Sequence, residues 1–283
     1  MAALHLQPEP GNVVGNLSLA ERAVTAARRV HPALRWVVLP ELFTTGYAGL
    51  RTIHEHAEDA ERGTSARFFA SLARRLGLYI AYGFPERRRS GGVSDSANLV
   101  GPRGHLLTYR KRQLVWTTDE PGTFVPGHEI PVVRAGGALV ALAICWDLGS
   151  PEAVREAALG GADLVLAPAG WRHPWGRQYE LACAARALDN AVYLASANQV
   201  GDYAEARFDT PGGVYGPNGL RVCERTGSRS VARVDLGLPA RWRVTFGSTL
   251  PIHAGTPAPQ PRPLALAGGA PPGWAPEGSG APQ

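Results

Sequence analysis

Lysine is almost absent from this chain. Of its 29 basic residues 28 are arginine, and Lys111 is the one exception. Cysteine is scarce too. Cys145, Cys183 and Cys223 are odd in number and far apart, which excludes a disulfide framework and any metal-binding cysteine spacing. Such usage suits a reducing compartment, so a cytoplasmic location is expected. No apolar run is long enough to span a bilayer, and the first residues lack a basic-then-apolar signal pattern. No membrane association is expected. A dense basic patch is also missing. The net charge of +5 and pI near 9.4 invite a nucleic-acid reading, but the arginines are scattered. Their densest run, Arg87 to Arg89, falls in a Gly/Ser-rich stretch and reads as a solvated face, so no nucleic-acid partner is expected.

What is present is the composition of a globular protein. The 283 residues are 45% hydrophobic and 19% charged, enough for one large α/β domain or two ordinary ones with a sizeable core. The composition breaks at Ala254. Of the last 30 residues 8 are proline, 6 glycine and 7 alanine, which predicts one domain over 1–253 and a disordered tail over 254–283.

Within the domain, helical and strand periodicities alternate. Leu17, Ala20, Ala23, Val24 and Ala27 keep helical spacing, with Ser18 or Asn16 as the possible cap. Further helices are predicted over 64–76, 151–159 and 179–188. Buried strands are predicted over 36–40, 78–84, 138–144, 163–167 and 191–197, with a hairpin joining 95–100 to 105–109. Strands that alternate with helices indicate an α/β fold.

Three side chains stand where strands end. The run 138–144 has no polar alternation and reads as a strand buried on both faces, stopping at Cys145. Ser150 and Pro151 then resemble the N-cap and first position of a helix. A strand, a tight turn and a helix start place a thiol at the carboxyl edge of a sheet, where backbone N–H groups converge. It is either a structural core cysteine or a reactive group. Glu41 follows the strand at 36–40 and precedes Phe43 and Tyr47, whose rings can partly desolvate it as a general base requires. The alternative is an exposed turn residue. Lys111 either survives by chance or marks a site needing a compact ammonium that a planar guanidinium cannot imitate. The aperiodic segment 116–127 holds Glu120. His54 and His56 would diverge on a helix, so no metal site is expected.

The segments around these residues resemble a known family. VVLPELFTTGY (37–47), GPRGHLLTYRK (101–111) and ICWDLGSPE (144–152) are similar, in order and spacing, to the three signatures of the nitrilase superfamily of carbon–nitrogen hydrolases. The resemblance continues through NVVGNL (12–17), IAYGFPER (80–87), GADLVLAP (161–168), ARALDN (185–190) and ANQVG (197–201), covering about 4–236. It implies a four-layer α-β-β-α sandwich, packed as a homodimer or higher homo-oligomer through the helical face beside the nucleophile. It also implies cofactor-free and metal-free catalysis. Cys145 would form a thioester, Glu41 would be the general base, and Lys111 with the Trp146 N–H would hold the oxyanion. A nearby ammonium would favour the thiolate. Glu120, or alternatively Asp119, would be the second acid that orients Lys111.

Departures from the family bear on the substrate. Asp147 follows Trp146, where nitrile-hydrolysing members commonly carry glutamate, so an amidase-like branch is implied. Leu148 and Gly149 stand where N-carbamoyl-D-amino acid amidohydrolases carry arginines. Tyr47, Trp116, Trp146 and Trp171 are the expected pocket walls, suited to a small neutral or aromatic amide. A nitrile or an N-carbamoyl compound is the alternative substrate on the same residues. A non-catalytic small-molecule-binding protein of this fold is the different-class alternative, disfavoured because all three chemical groups are retained.

Overall fold

Two β-sheets lie face to face between two pairs of helices. The computed structural model describes residues 1–47 and 50–246; the expected tail at 254–283 lies outside the described residues. The first half contains β1 (Ala2–Leu4), α1 (Val13–Val30), β2 (Trp36–Val38), α2 (Thr64–Leu76), β3 (Tyr79–Arg87), β4 (Val93–Gly101), β5 (Gly104–Arg110) and α3 (Glu120–Thr123). The second half begins with β6 (Val132–Ala135), β7 (Ala138–Leu142), α4 (Glu152–Leu159), β8 (Leu164–Ala169), α5 (Gly176–Asn190) and β9 (Tyr193–Asn198). It closes with β10 (Gly201–Asp202), β11 (Arg207–Phe208), β12 (Gly213–Tyr215), β13 (Glu224–Thr226), β14 (Arg229–Val231) and α6 (Leu238–Phe246).

One sheet has the order β13-β14-β1-β2-β3-β4-β5, the other β12-β9-β8-β7-β6. At the centre of each, three strands run parallel: β1, β2 and β3 in the first, β7, β8 and β9 in the second. The period of two along a strand sorts the side chains of the first sheet into two cores. Ala3, Trp36, Val38, Ala81, Ala97 and Leu99 face the second sheet and pack on Val140 and Leu142. Their neighbours Leu4, Val37, Ile80, Tyr82 and Phe84 face the other way, against Leu17, Ala20 and Val24 of α1 and Phe69 and Leu72 of α2. Behind the second sheet, Val154 and Ala157 of α4 and Cys183 and Ala187 of α5 join the same core as β8 and β9. The result is the expected α-β-β-α sandwich.

Element ends differ from the sequence reading in several places. Asn12, not Ser18 or Asn16, caps α1, accepting the Gly15 N–H at 2.9 Å. Asn16 lies on the buried stripe and instead holds the Glu9 backbone and the Thr44 carbonyl, the latter at 3.1 Å. The helix after Cys145 starts later than expected, with Pro151 as its cap, because Cys145–Leu148 forms its own single 3-10 turn. Glu120 opens the short helix α3 within a segment expected to be irregular.

Candidate active site

The chain leaving β2 is pinned between the sheets. The Leu39 N–H donates to the Ala81 carbonyl at 2.8 Å, and the Glu41 N–H reaches the Ala169 carbonyl at the end of β8. Leu42 adopts a φ of 45°, so the turn curls tightly and needs neighbours without side chains. A Cβ at Gly83 would stand 2.4 Å from the Leu42 nitrogen, and one at Gly170 only 2.7 Å from Glu41 Oε2. Both glycines make room for a wholly buried carboxylate.

β5 carries Lys111 into the same interior. Its Nζ lies 2.5 Å from Glu41 Oε1, 2.8 Å from Glu120 Oε1 and 3.6 Å from Asp95 Oδ2, and none of the four side chains is exposed. Asp119, by contrast, is exposed at the N-terminal boundary of α3, and its side chain makes no capping hydrogen bond. Glu120 is therefore the acid beside the lysine. It also accepts the Tyr47 hydroxyl on Oε1 and the Val115 N–H on Oε2, the latter at 2.9 Å.

Cys145 is buried at the start of its turn with a φ of 45°. This left-handed backbone is costly for a residue with a Cβ, and it gives the sharp strand-to-turn elbow on which hydrolases present a nucleophile. Two residues on, Asp147 Oδ2 accepts the Ile144 N–H at 2.9 Å and the Tyr109 hydroxyl at 2.8 Å. Its Oδ1 accepts the N–H groups of Arg112 at 3.2 Å and Gln113 at 2.9 Å. A single carboxylate thus ties the cysteine turn to both sides of Lys111. In the sequence it was read only as a mark of the family branch.

The expected aromatic wall is partly assembled. Trp146 lies 5.1 Å from Trp171, centroid to centroid, and Trp171 stacks on Tyr179 at 5.2 Å. Tyr47 joins the Lys111 cluster. Trp116 does not belong to the wall: it is 86% exposed, because Glu120 and Phe124, not Trp116, turn inward from this segment. Two further groups had no sequence signal. Asp95 is hidden in a strand of alternating small and polar residues that resembles a solvated edge. Arg172 comes from the loop after β8 to lie over the Tyr47 ring, 5.1 Å from its centroid.

The profile of the carbon-nitrogen hydrolase family matches residues 1–243. The chain belongs to that family. It is 31% identical to a probable nitrilase of Schizosaccharomyces pombe over 77% of this chain and 81% of the relative. It is also 31% identical to an (R)-stereoselective amidase of a Pseudomonas species over 70% of each chain. The amidase of Nesterenkonia sp. AN1 superposes with a TM-score of 0.74 at 27% identity, covering 90% of this chain and 98% of that one. That structure is a glutamate-to-glutamine variant with acrylamide added at the active-site cysteine.

In this carbon–nitrogen hydrolase, burial dominates the electrostatics. It pushes the Cys145 thiol well above its usual range, the Glu41 charge adds to this, and Lys111 opposes it without prevailing. The expectation of a lysine-stabilised resting thiolate is thereby reversed: a dry site holding several carboxylates disfavours one more anion. Burial would lower the pKa of Lys111, but the Glu41 and Glu120 carboxylates bonded to it raise it well above the ordinary lysine range. The lysine is a permanent cation. Burial raises the Tyr47 hydroxyl likewise, keeping it a donor to Glu120. Among the described residues no group of three or more His, Cys, Asp and Glu side chains could hold a metal.

Proposed function

We propose that this protein hydrolyses the carbon–nitrogen bond of a small amide through a thioester on Cys145. The observation that carries the reading is the position of Glu41 between Lys111 and the thiol. Its Oε1 accepts from Lys111, while Oε2 has no protein partner and borders Gly170, whose N–H faces the cysteine sulfur. A resting thiol needs a base, and Glu41 Oε2 is free to be one. As the proton passes from sulfur to Glu41, the sulfur bonds to the amide carbon and its carbonyl oxygen becomes an oxyanion. Lys111 and the Trp146 N–H, in the first residues of its turn, hold that oxyanion. Glu41 then gives the proton to the departing nitrogen, and ammonia or an amine leaves a thioester. Next Glu41 takes a proton from water, hydroxide adds to the thioester, and the carboxylic acid departs as the proton returns to sulfur.

The Trp146–Trp171 pair and Tyr47 favour a small neutral or aromatic amide. Arg172 favours a second reading, an amide that also carries a carboxylate, since its guanidinium stands beside Tyr47 and its Nε is buried without a partner. Mass spectrometry of protein quenched during turnover tests the chemistry: an acyl adduct is expected on Cys145, and an adduct on Cys183 or Cys223 instead would sink it. A panel of neutral amides, ω-amide acids, nitriles and N-carbamoyl compounds, scored by ammonia release, separates the substrate classes. A preference for nitriles would replace the amide reading. The same reading places the protein in the cytoplasm as a homodimer formed through α4 and α5, where Leu159, Leu181 and Leu188 are exposed. Sedimentation of an α5 variant such as Leu181→Glu tests the assembly.

A further inference from the structure

Three carboxyl groups surround one ammonium in a dry site. If all were ionised, Glu41, Glu120 and Asp95 would leave two uncompensated negative charges around Lys111, an arrangement that burial makes very costly. Their hydrogen bonds are unequal. Glu120 accepts from Lys111, Tyr47 and Val115, and Glu41 accepts from Lys111 at 2.5 Å. Asp95 accepts from nothing: both its oxygens are buried without a partner, and Lys111 Nζ is 3.6 Å away, too far for a hydrogen bond. Its backbone carbonyl meanwhile accepts the Lys111 N–H at 2.9 Å, so the side chain is held in place beside the lysine.

We propose that Asp95 works as a neutral carboxylic acid, so that only Glu41 and Glu120 draw on the positive charge of Lys111 and it stays available to the oxyanion. Asp95 on β4 is faced by Glu41 after β2, Lys111 after β5 and Glu120 on α3. Burial first, and then the Glu41 charge, raise its pKa well above the ordinary range, against the smaller opposing effect of Lys111. Were Asp95 to ionise, a third carboxylate would share the ammonium and weaken its hold on the developing negative charge. Asp95 is thus a positioning residue that sets the charge of the site without touching substrate. The inference rests on the Cys145 thioester reading.

The test compares Asp95→Asn, a neutral near-isostere of the protonated acid, with Asp95→Val. Asp95→Asn is expected to keep turnover within about tenfold of the parent at neutral pH, the scale of one altered hydrogen bond. It should also carry activity to higher pH than the parent does, since an amide cannot ionise. Asp95→Val, which sets an apolar side chain against the ammonium and the two carboxylates, is expected to lose about 100-fold. A loss of 100-fold or more in folded Asp95→Asn, or a pH profile superimposable on the parent's, would overturn the proposal. Infrared spectroscopy of the parent protein at neutral pH needs neither turnover nor a variant. A carbonyl stretch from a protonated aspartic acid is expected, and its absence would also overturn the proposal. Acyl trapping on Cys145 in the parent reads the thioester chemistry by itself, so failure of that reading is distinguishable from failure of the Asp95 assignment.

Discussion

The Tyr109 hydroxyl donates to Asp147 Oδ2 at 2.8 Å, joining the two sheets beside the site. Tyr109 lies near the end of β5, two residues before Lys111, and Asp147 lies two residues after Cys145. The distance between ammonium and thiol is therefore set by a buried bond between their neighbours, reinforced by the Arg112 and Gln113 N–H groups on the same carboxylate.

Asp147→Ala would leave the buried Ile144 N–H, the half-buried Arg112 and Gln113 N–H groups and a tyrosine hydroxyl without their acceptor. A destabilisation of about 2–4 kcal/mol is expected, the range for breaking a buried charged hydrogen-bond set. Urea denaturation measures it. A change below the experimental error would show that this carboxylate does not brace the site.

Lys111→Arg keeps the charge but replaces a point-like ammonium with a broad planar group in a space shared by three carboxyls. A turnover loss of about 100- to 1000-fold is expected, the cost of one oxyanion donor, with the fold retained. Ammonia release gives the rate and circular dichroism the fold. Near-normal turnover would mean that Lys111 is a survivor of composition and not a catalyst.

Tyr47→Phe removes the hydroxyl that holds Glu120 while preserving the ring against Phe208 and Arg172. About a tenfold fall in kcat is expected from one lost hydrogen bond. Glu120→Gln, which also removes the charge facing Lys111, should fall further. Steady-state kinetics of both variants decide the order, and equal losses would detach Tyr47 from the role of Glu120.

Asp95 also affects stability with pH. Its folded pKa is raised, so above the ordinary aspartate pKa, about 3.9, folding must take up a proton that the unfolded chain has released. That penalty is absent below the ordinary pKa and grows as pH rises toward the folded value. Asp95→Asn escapes it. Its melting temperature relative to the parent should therefore be higher at pH 8 than at pH 5. A difference independent of pH would show that Asp95 titrates alike in both states.

Much of this protein was determined by local sequence. Strand and helix order followed from periodicity, as in Thr64–Leu76, where the apolar stripe and the glycine at position 77 define the helix and its end. The candidate nucleophile, base and lysine were legible because each stands just past the end of a strand, and Lys111 also because the chain has no other lysine. What tertiary structure alone decided was which polar groups go inside. Asp119 and Glu120 are neighbours with the same chemistry, and only the turn of α3 buries one and exposes the other. Trp116 and Trp171 are both tryptophans in loops, yet packing against Tyr179 buries one and nothing covers the other. Asp95 and Asp147 are short-range puzzles, charged residues among small or apolar ones. The lysine beside Asp95 and the Tyr109, Arg112 and Gln113 donors to Asp147 come from distant strands and loops, where no spacing along the chain can reveal them.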